Sequence, residues 1–173
     1  MRRVSIWTVV AAMTVSMAVL SARAITDAQI AAIVVTANQV DIDAGKLAVS
    51  TATDPQVKAF GTQMVTDHTG VNKQAGALVT KLGVTPEDNP TAQSLKSGGA
   101  ENVTHLTALK GADFDRAYVD HEVAYHQQVI EALDSTLIPG ATNGELKALL
   151  VKVRPAFVAH LEHAKMLQKS LSK

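Results

Sequence analysis

The stretch Leu47–Gln74, LAVSTATDPQVKAFGTQMVTDHTGVNKQ, decides the fold. Asp54 followed by Pro55 reads as a helix start: the aspartate can accept from the first free amides, and proline at the first helical position gives up a donor that has no partner there anyway. Downstream, Val57, Phe60, Met64, Val71, Leu78 and Leu82 fall on one helical face before Gly83 stops the pattern. Upstream, Ile30, Ile33, Ala37, Val40, Ala44 and Leu47 carry a matching stripe from a start at Thr26-Asp27 to about Ala52. A two-residue turn between the stripes makes the two helices antiparallel neighbours.

Beyond Gly83 the character changes. Pro86, Asn89-Pro90 and Ser97-Gly98-Gly99 punctuate residues 84–111, where the pattern predicts a long crossover with one short helix over Glu101–Lys110. A third helix is expected from near Asp113 to about Leu137, with Val119, Val123, Ile130, Leu133 and Leu137 on one face and Pro139-Gly140 ending it. Asn143 can cap a fourth, whose face reads Leu146, Leu150, Val153, Phe157, Ala164, Leu167 and Leu171. Pro155 should kink it, because the missing amide leaves the Val151 carbonyl without its usual partner. No strand pattern or internal repeat competes. The expected fold is all-α, a ferritin-like four-helix bundle with a long crossover between helices two and three.

The first 24 residues join Arg2 and Arg3 to an apolar run from Val4 to Leu20 and then to Ala22-Arg23-Ala24, the pattern of a secretory signal with its cleavage site. Residues 25–173 are then the folded domain, periplasmic or secreted, and membrane contact is expected only if the signal stays uncleaved. Taking Arg2, Arg3 and Arg23 from the 16 basic side chains leaves 13 against 16 acidic ones, a balance that argues against nucleic acid as a partner. With no cysteine, disulfides, thiolate metal sites and thiol catalysis are all excluded. The few aromatics, Phe60, Phe114, Phe157, Tyr118 and Tyr125 in the domain, suit close-packed helices rather than platforms for bases or sugars.

Each helical stripe is interrupted once by a residue able to bind metal. His68 lies between Met64 and Val71, His126 between Val123 and Ile130, His160 between Phe157 and Ala164, and Asp41 between Ala37 and Ala44, all at spacings of three and four. Counted from the expected helix ends at about 1.5 Å per residue, the four lie at matching depths, which predicts a single layer. A buried polar group without a partner costs roughly 1–3 kcal/mol, so these four must bond one another, take in water or bind an ion. Three imidazoles and a carboxylate suit one divalent transition metal: Zn, Cu, Ni, Co or Fe. The alternative is a metal-free Asp–His network that fixes helix register.

Further candidates surround the layer. His163 is a candidate ligand at the seam's edge, and Asp67, Glu122 and Glu162 are candidate acceptors for imidazole N–H groups. His121 is placed on another face and His105 in the crossover, exposed. A haem held by Met64 and His68 is disfavoured by a core too evenly packed for a porphyrin.

The blocks ANQVDIDAGKLAVSTATDPQVKAFGTQMVTDHTGVN (37–72), FDRAYVDHEVAYHQQVI (114–130) and RPAFVAHLEHAK (154–165) resemble an exported bacterial family, domain of unknown function 4142. The resemblance implies a ferritin-like fold with no established activity. It aligns the family's acidic residue on helix one with Asp41 and its histidines with His68, His126 and His160. The residues three before those histidines are Val65, Val123 and Phe157, so the Glu-x-x-His pairs of di-iron ferritins are absent and ferroxidase chemistry is not expected. No hydrolase motif is present either. The expected role is metal binding or buffering in the cell envelope; the alternative is a structural or interaction protein there, with an envelope protein as partner.

Overall fold

The computed structural model describes residues 24–172. The signal expected over residues 1–24 lies outside them, apart from Ala24. Among the described residues the chain is all-α, with helices α1 (Asp27–Thr51), α2 (Pro55–Leu82), α3 (Pro90–Thr107), α4 (Gly111–Ala132) and α5 (Gly144–Leu171) and no strand. A π turn, Leu133–Leu137, and a last helical turn, Ile138–Gly140, prolong α4.

Local chemistry fixes the helix ends. Thr26 and Gln29 exchange side-chain and backbone hydrogen bonds of 3.2 Å at the start of α1. The Asp54 carboxylate accepts from the Gln56 and Val57 amides, and Asn143 accepts from those of Glu145 and Leu146. Gly83 closes α2 in the left-handed conformation, φ 63°, which glycine adopts without a Cβ clash.

The crossover departs from expectation. Asn89 and Pro90 begin a helix just as Asp54 and Pro55 do, with Asn89 accepting from the Ala92 amide, and α3 runs through Ser97-Gly98-Gly99 to Thr107. Of the predicted segment Glu101–Lys110, residues 101–107 are the end of a longer helix and 108–110 form the turn into α4. Gly99 is a point of contact rather than a break: a Cβ there would lie 2.6 Å from a methyl group of Val40 on α1. α4 starts at Gly111, two residues earlier than expected, and continues past Leu137. The widened turn lets the Ile138 amide reach the Leu133 carbonyl just before Pro139, which has no amide to offer. Arg154 of α5 grips Asp134 in that turn with two hydrogen bonds of 2.5 and 2.6 Å. Pro155 lies on the exposed face of α5, which runs unbroken from Gly144 to Leu171.

Two aspartates define how the helices run. Asp115, near the start of α4 and 2 % exposed, accepts from the Thr53 amide and hydroxyl and the Asp54 amide in the turn between α1 and α2. Asp27, at the start of α1, accepts the same three groups from Thr142 and Asn143 in the turn before α5. The starts of α2 and α4 therefore share one end of the molecule, and the starts of α1 and α5 the other. The turns read Ala-Thr-Asp and Ala-Thr-Asn, a correspondence too short to register as a repeat in the sequence.

Along the axis the apolar core comes in two parts. One joins Ile30, Ile33, Val34, Val71, Leu133, Leu146, Leu150 and Phe157; the other joins Ala44, Ala48, Val57, Phe60, Met64, Phe114, Tyr118, Ala164 and Leu167. Between them, on α1, α2, α4 and α5 alike, the buried residues turn polar.

Candidate metal centre

That polar layer holds Asn38 and Asp41 from α1, His68 from α2, Glu122 and His126 from α4, and His160 from α5, all between 0 and 2 % exposed. Three of the positions singled out in the sequence, His68, His126 and His160, meet with ring centroids 5.3–5.7 Å apart. One ring nitrogen from each lies within 4.8 Å of the other two. Asp41, the fourth, places Oδ2 3.5 Å from His68 Nε2. The Phe157 ring meets those of His68 and His126 at 5.2 and 6.0 Å and covers the layer on the side of the first apolar core.

The hydrogen bonds of the rings fix which nitrogens carry protons. Asn38 donates through Nδ2 to the Val34 carbonyl, so its Oδ1, 2.7 Å from His68 Nδ1, must accept. His126 Nδ1 is 3.0 Å from the Glu122 carbonyl, and His160 Nε2 is 2.9 Å from Asp67 Oδ2; both partners can only accept. Each ring thus donates outward, which leaves lone pairs on His68 Nε2, His126 Nε2 and His160 Nδ1. Those three nitrogens are buried without a protein partner, as are both carboxylate oxygens of Asp41 and of Glu122. An outer acceptor that sets each imidazole's tautomer is the usual second layer of a histidine-ligated metal.

Electrostatics suit neutral imidazoles. Burial, reinforced by the neighbouring His126 and His160, lowers the His68 pKa to about 2. Burial also lowers that of His160, against the pull of Asp67. The Asp41 carboxyl moves the other way, well above the usual carboxylate range, through burial and then the charge of Glu122 beside it. Burial, with the charges of Glu122 and Asp41, raises the hydroxyl of Tyr118 as well.

These shifts give stability a sign. As pH falls below about 6.5, an unfolded chain protonates its histidines while the fold keeps His68 neutral, so stability is lost from that point down toward the folded value. Asp41 opposes this, since stability drops as pH rises from its ordinary value through its raised one. His68, His160 and His121 thus lose stability toward acid, while Asp41 gains it over the same range. In a metal-free Asp41→Asn protein, which lacks the opposing carboxyl, the loss between pH 7 and pH 5 should be about 1–2 kcal/mol, read as a fall in urea midpoint. An unchanged or rising midpoint would show that the imidazoles accept protons inside the fold.

Other sequence candidates separate cleanly. Asp67 is the outer acceptor for His160. Glu122, expected only as an acceptor at the flank, is fully buried inside the layer, where Asp41, Glu122 and His126 form a second trio of donor atoms within 4.8 Å. His163 does not join: it bonds Gln63 at 3.2 Å and packs edge-on against Phe60. His121 stacks on Tyr125 and belongs to neither trio, although Glu122 and His126 lie near enough to influence it. Glu162 pairs with Lys165 rather than with a ligand, and His105 is exposed. The sequence reading missed Asn38, although it interrupts the apolar stripe of α1 one turn before Asp41. It also missed Tyr125, whose hydroxyl donates to the Ala37 carbonyl at 3.0 Å and ties α4 to α1 beside the layer.

No curated protein and no solved structure matches the chain. A family profile does, over residues 12–167, which takes in α1, α2 and α4 whole and α5 as far as Leu167, with every residue of the layer. The chain belongs to that family, described as Domain of unknown function (DUF4142).

Proposed function

We propose that this protein is a ferritin-like four-helix bundle, exported to the cell envelope, that binds a divalent transition metal in the layer of His68, His126, His160 and Asp41. The helix directions set by Asp27 and Asp115, with α3 as the long connection lying along α1, support the topology. The observation that carries the metal reading is the set of seven buried acceptor atoms converging from four helices: three imidazole lone pairs and four carboxylate oxygens. Imidazole lone pairs and ionised carboxylates cannot satisfy one another, and a cation among them answers both. Nitrogen and oxygen donors without thiolate suit Zn, Cu, Ni, Co or Fe in the divalent state. Binding or buffering fits better than turnover, because the layer is sealed. A groove of about 710 Å³ between α1 and α3, lined by Val35, Gln39, Lys96 and Val103, includes none of its residues. Export rests on the N-terminal sequence pattern alone.

The test is elemental analysis of untagged protein purified from the periplasm, followed by melting with and without chelator. Near one equivalent of a single metal is expected. Its removal should cost about 3 kcal/mol for an ion present at a hundred times its dissociation constant, or roughly 6–12 °C in melting temperature. A second reading, a metal-free network that sets helix register for an envelope structural or interaction protein, is favoured by the neighbouring carboxyls of Asp41 and Glu122, which can share a proton. It predicts a metal-free protein whose melting ignores chelator and which takes up nothing on titration.

A further inference from the structure

We propose that Glu122 is a ligand of the same ion, so that three neutral imidazoles and two carboxylates form a charge-neutral centre for one divalent cation. This rests on the metal reading above and settles its stoichiometry and charge selectivity. Two observations join the carboxylates to the imidazoles. His126 belongs to both trios of donor atoms, with His68 and His160 on one side and Asp41 and Glu122 on the other. Asp41 Oδ2 also approaches His68 Nε2 to 3.5 Å, so the trios touch at a second edge. Donors on a shell about 2.1 Å from an ion lie up to about 4.2 Å apart. Each trio, held within 4.8 Å, therefore needs only small side-chain adjustments to close on an ion, and a single ion for both requires His126 to present Nε2 to each.

Charge decides how many ions fit. Asp41 and Glu122 are 1 % and 0 % exposed, and among the described residues they face the imidazoles of His68 and His126 but no lysine or arginine. Asp67 is half open to solvent and lies outside the balance. Ionised, the two buried carboxylates contribute two negative charges, which one divalent ion cancels. A second divalent ion would leave two positive charges in a dry core, and a monovalent ion would leave one negative, each with a large desolvation cost. The arrangement thus selects a single divalent ion by charge as well as by donor type. Four residues before His126 on α4, Glu122 occupies the same face one turn earlier; its carboxylate sits 3.4 Å from the proton-bearing His126 Nδ1 and reaches the lone-pair side by a turn of its side chain.

Titration of the metal-free full chain with Co²⁺, read by visible absorption, tests the inference. The wild type should saturate at one equivalent with the weak bands of a five- or six-coordinate ion. Glu122→Gln keeps the volume and loses the charge, and should weaken binding at least ten-fold while Asp43→Asn, on the exposed face of α1, leaves affinity unchanged. Saturation at two equivalents, intense tetrahedral bands in the wild type, or a Glu122→Gln variant with wild-type affinity and spectrum would each overturn it. If Glu122→Gln does not fold, the wild-type stoichiometry and spectrum decide alone. A wild type that takes up no Co²⁺ removes the metal reading itself, a result distinct from retention of metal by the variant.

Discussion

His126→Ala should reduce the metal content from about one equivalent to a small fraction of one. No other side chain belongs to both trios of donor atoms, so its loss opens the imidazole set and the carboxylate set together. The ring is fully buried and packs against His68, His160 and Phe157, so its removal also leaves a cavity costing about 2–4 kcal/mol. The two effects separate experimentally: metal content is read by elemental analysis on protein shown to be helical by circular dichroism, and stability by urea midpoint in chelator. His105→Ala, on the exposed side of α3, should change neither. A His126→Ala protein that keeps a full equivalent would move the binding site out of this layer.

Gly61→Val should be among the most damaging single substitutions outside the layer. α1 and α2 approach so closely at Gly45 and Gly61 that a Cβ on Gly61 would lie 2.8 Å from the Ala48 Cβ and 3.0 Å from the Gly45 carbonyl oxygen. Both obstacles belong to α1 itself and cannot swing aside, so the helices must part. We expect a loss of about 3 kcal/mol, or roughly 6–12 °C in melting temperature. Gly70→Ala supplies the contrast: nothing lies within 4 Å of a Cβ there, and an alanine in mid-helix should stabilise by about 0.5–1 kcal/mol. Equal melting points for the two variants would refute the close-approach argument. Because Asp41 and His68 sit on these same two helices, Gly61→Val should also weaken metal uptake.

How much of this was legible depends on which physical signal each residue carries. The apolar stripes and the caps at Thr26, Asp54 and Asn143 act locally, so α1, α2 and α5 could be read to within a residue or two. α3 could not, because Gly98 and Gly99 weaken a helix by only about 1 kcal/mol each. The reason to keep a glycine at 99, the side chain of Val40, lies 59 residues away in sequence. Asn89-Pro90 carried the same start signal as Asp54-Pro55 and was outweighed by those glycines. In the layer, an interrupted stripe located His68, His126, His160 and Asp41, since burial of a polar residue leaves a mark in periodicity. The same rule applied to Asn38 would have found the residue that sets the His68 tautomer. Glu122 was harder: a glutamate beside a histidine is ordinarily solvated, and only the packing of α4 against α1 shows its carboxylate to be enclosed.

The two aspartate clasps have a consequence for how the chain holds together as a whole. Asp27 belongs to the first helical pair and fastens the turn of the second, while Asp115 belongs to the second and fastens the turn of the first. Each pair therefore carries the lock for the other, and the bonded residues stand 115–116 and 61–62 apart in sequence. Neither pair is a module. A chain nicked in the exposed stretch around Thr85-Pro86 would yield two fragments, each with a turn whose amides are answered only by the other's carboxylate. Mutual recognition between the two halves is thus written at both ends of the molecule, independently of the layer they enclose.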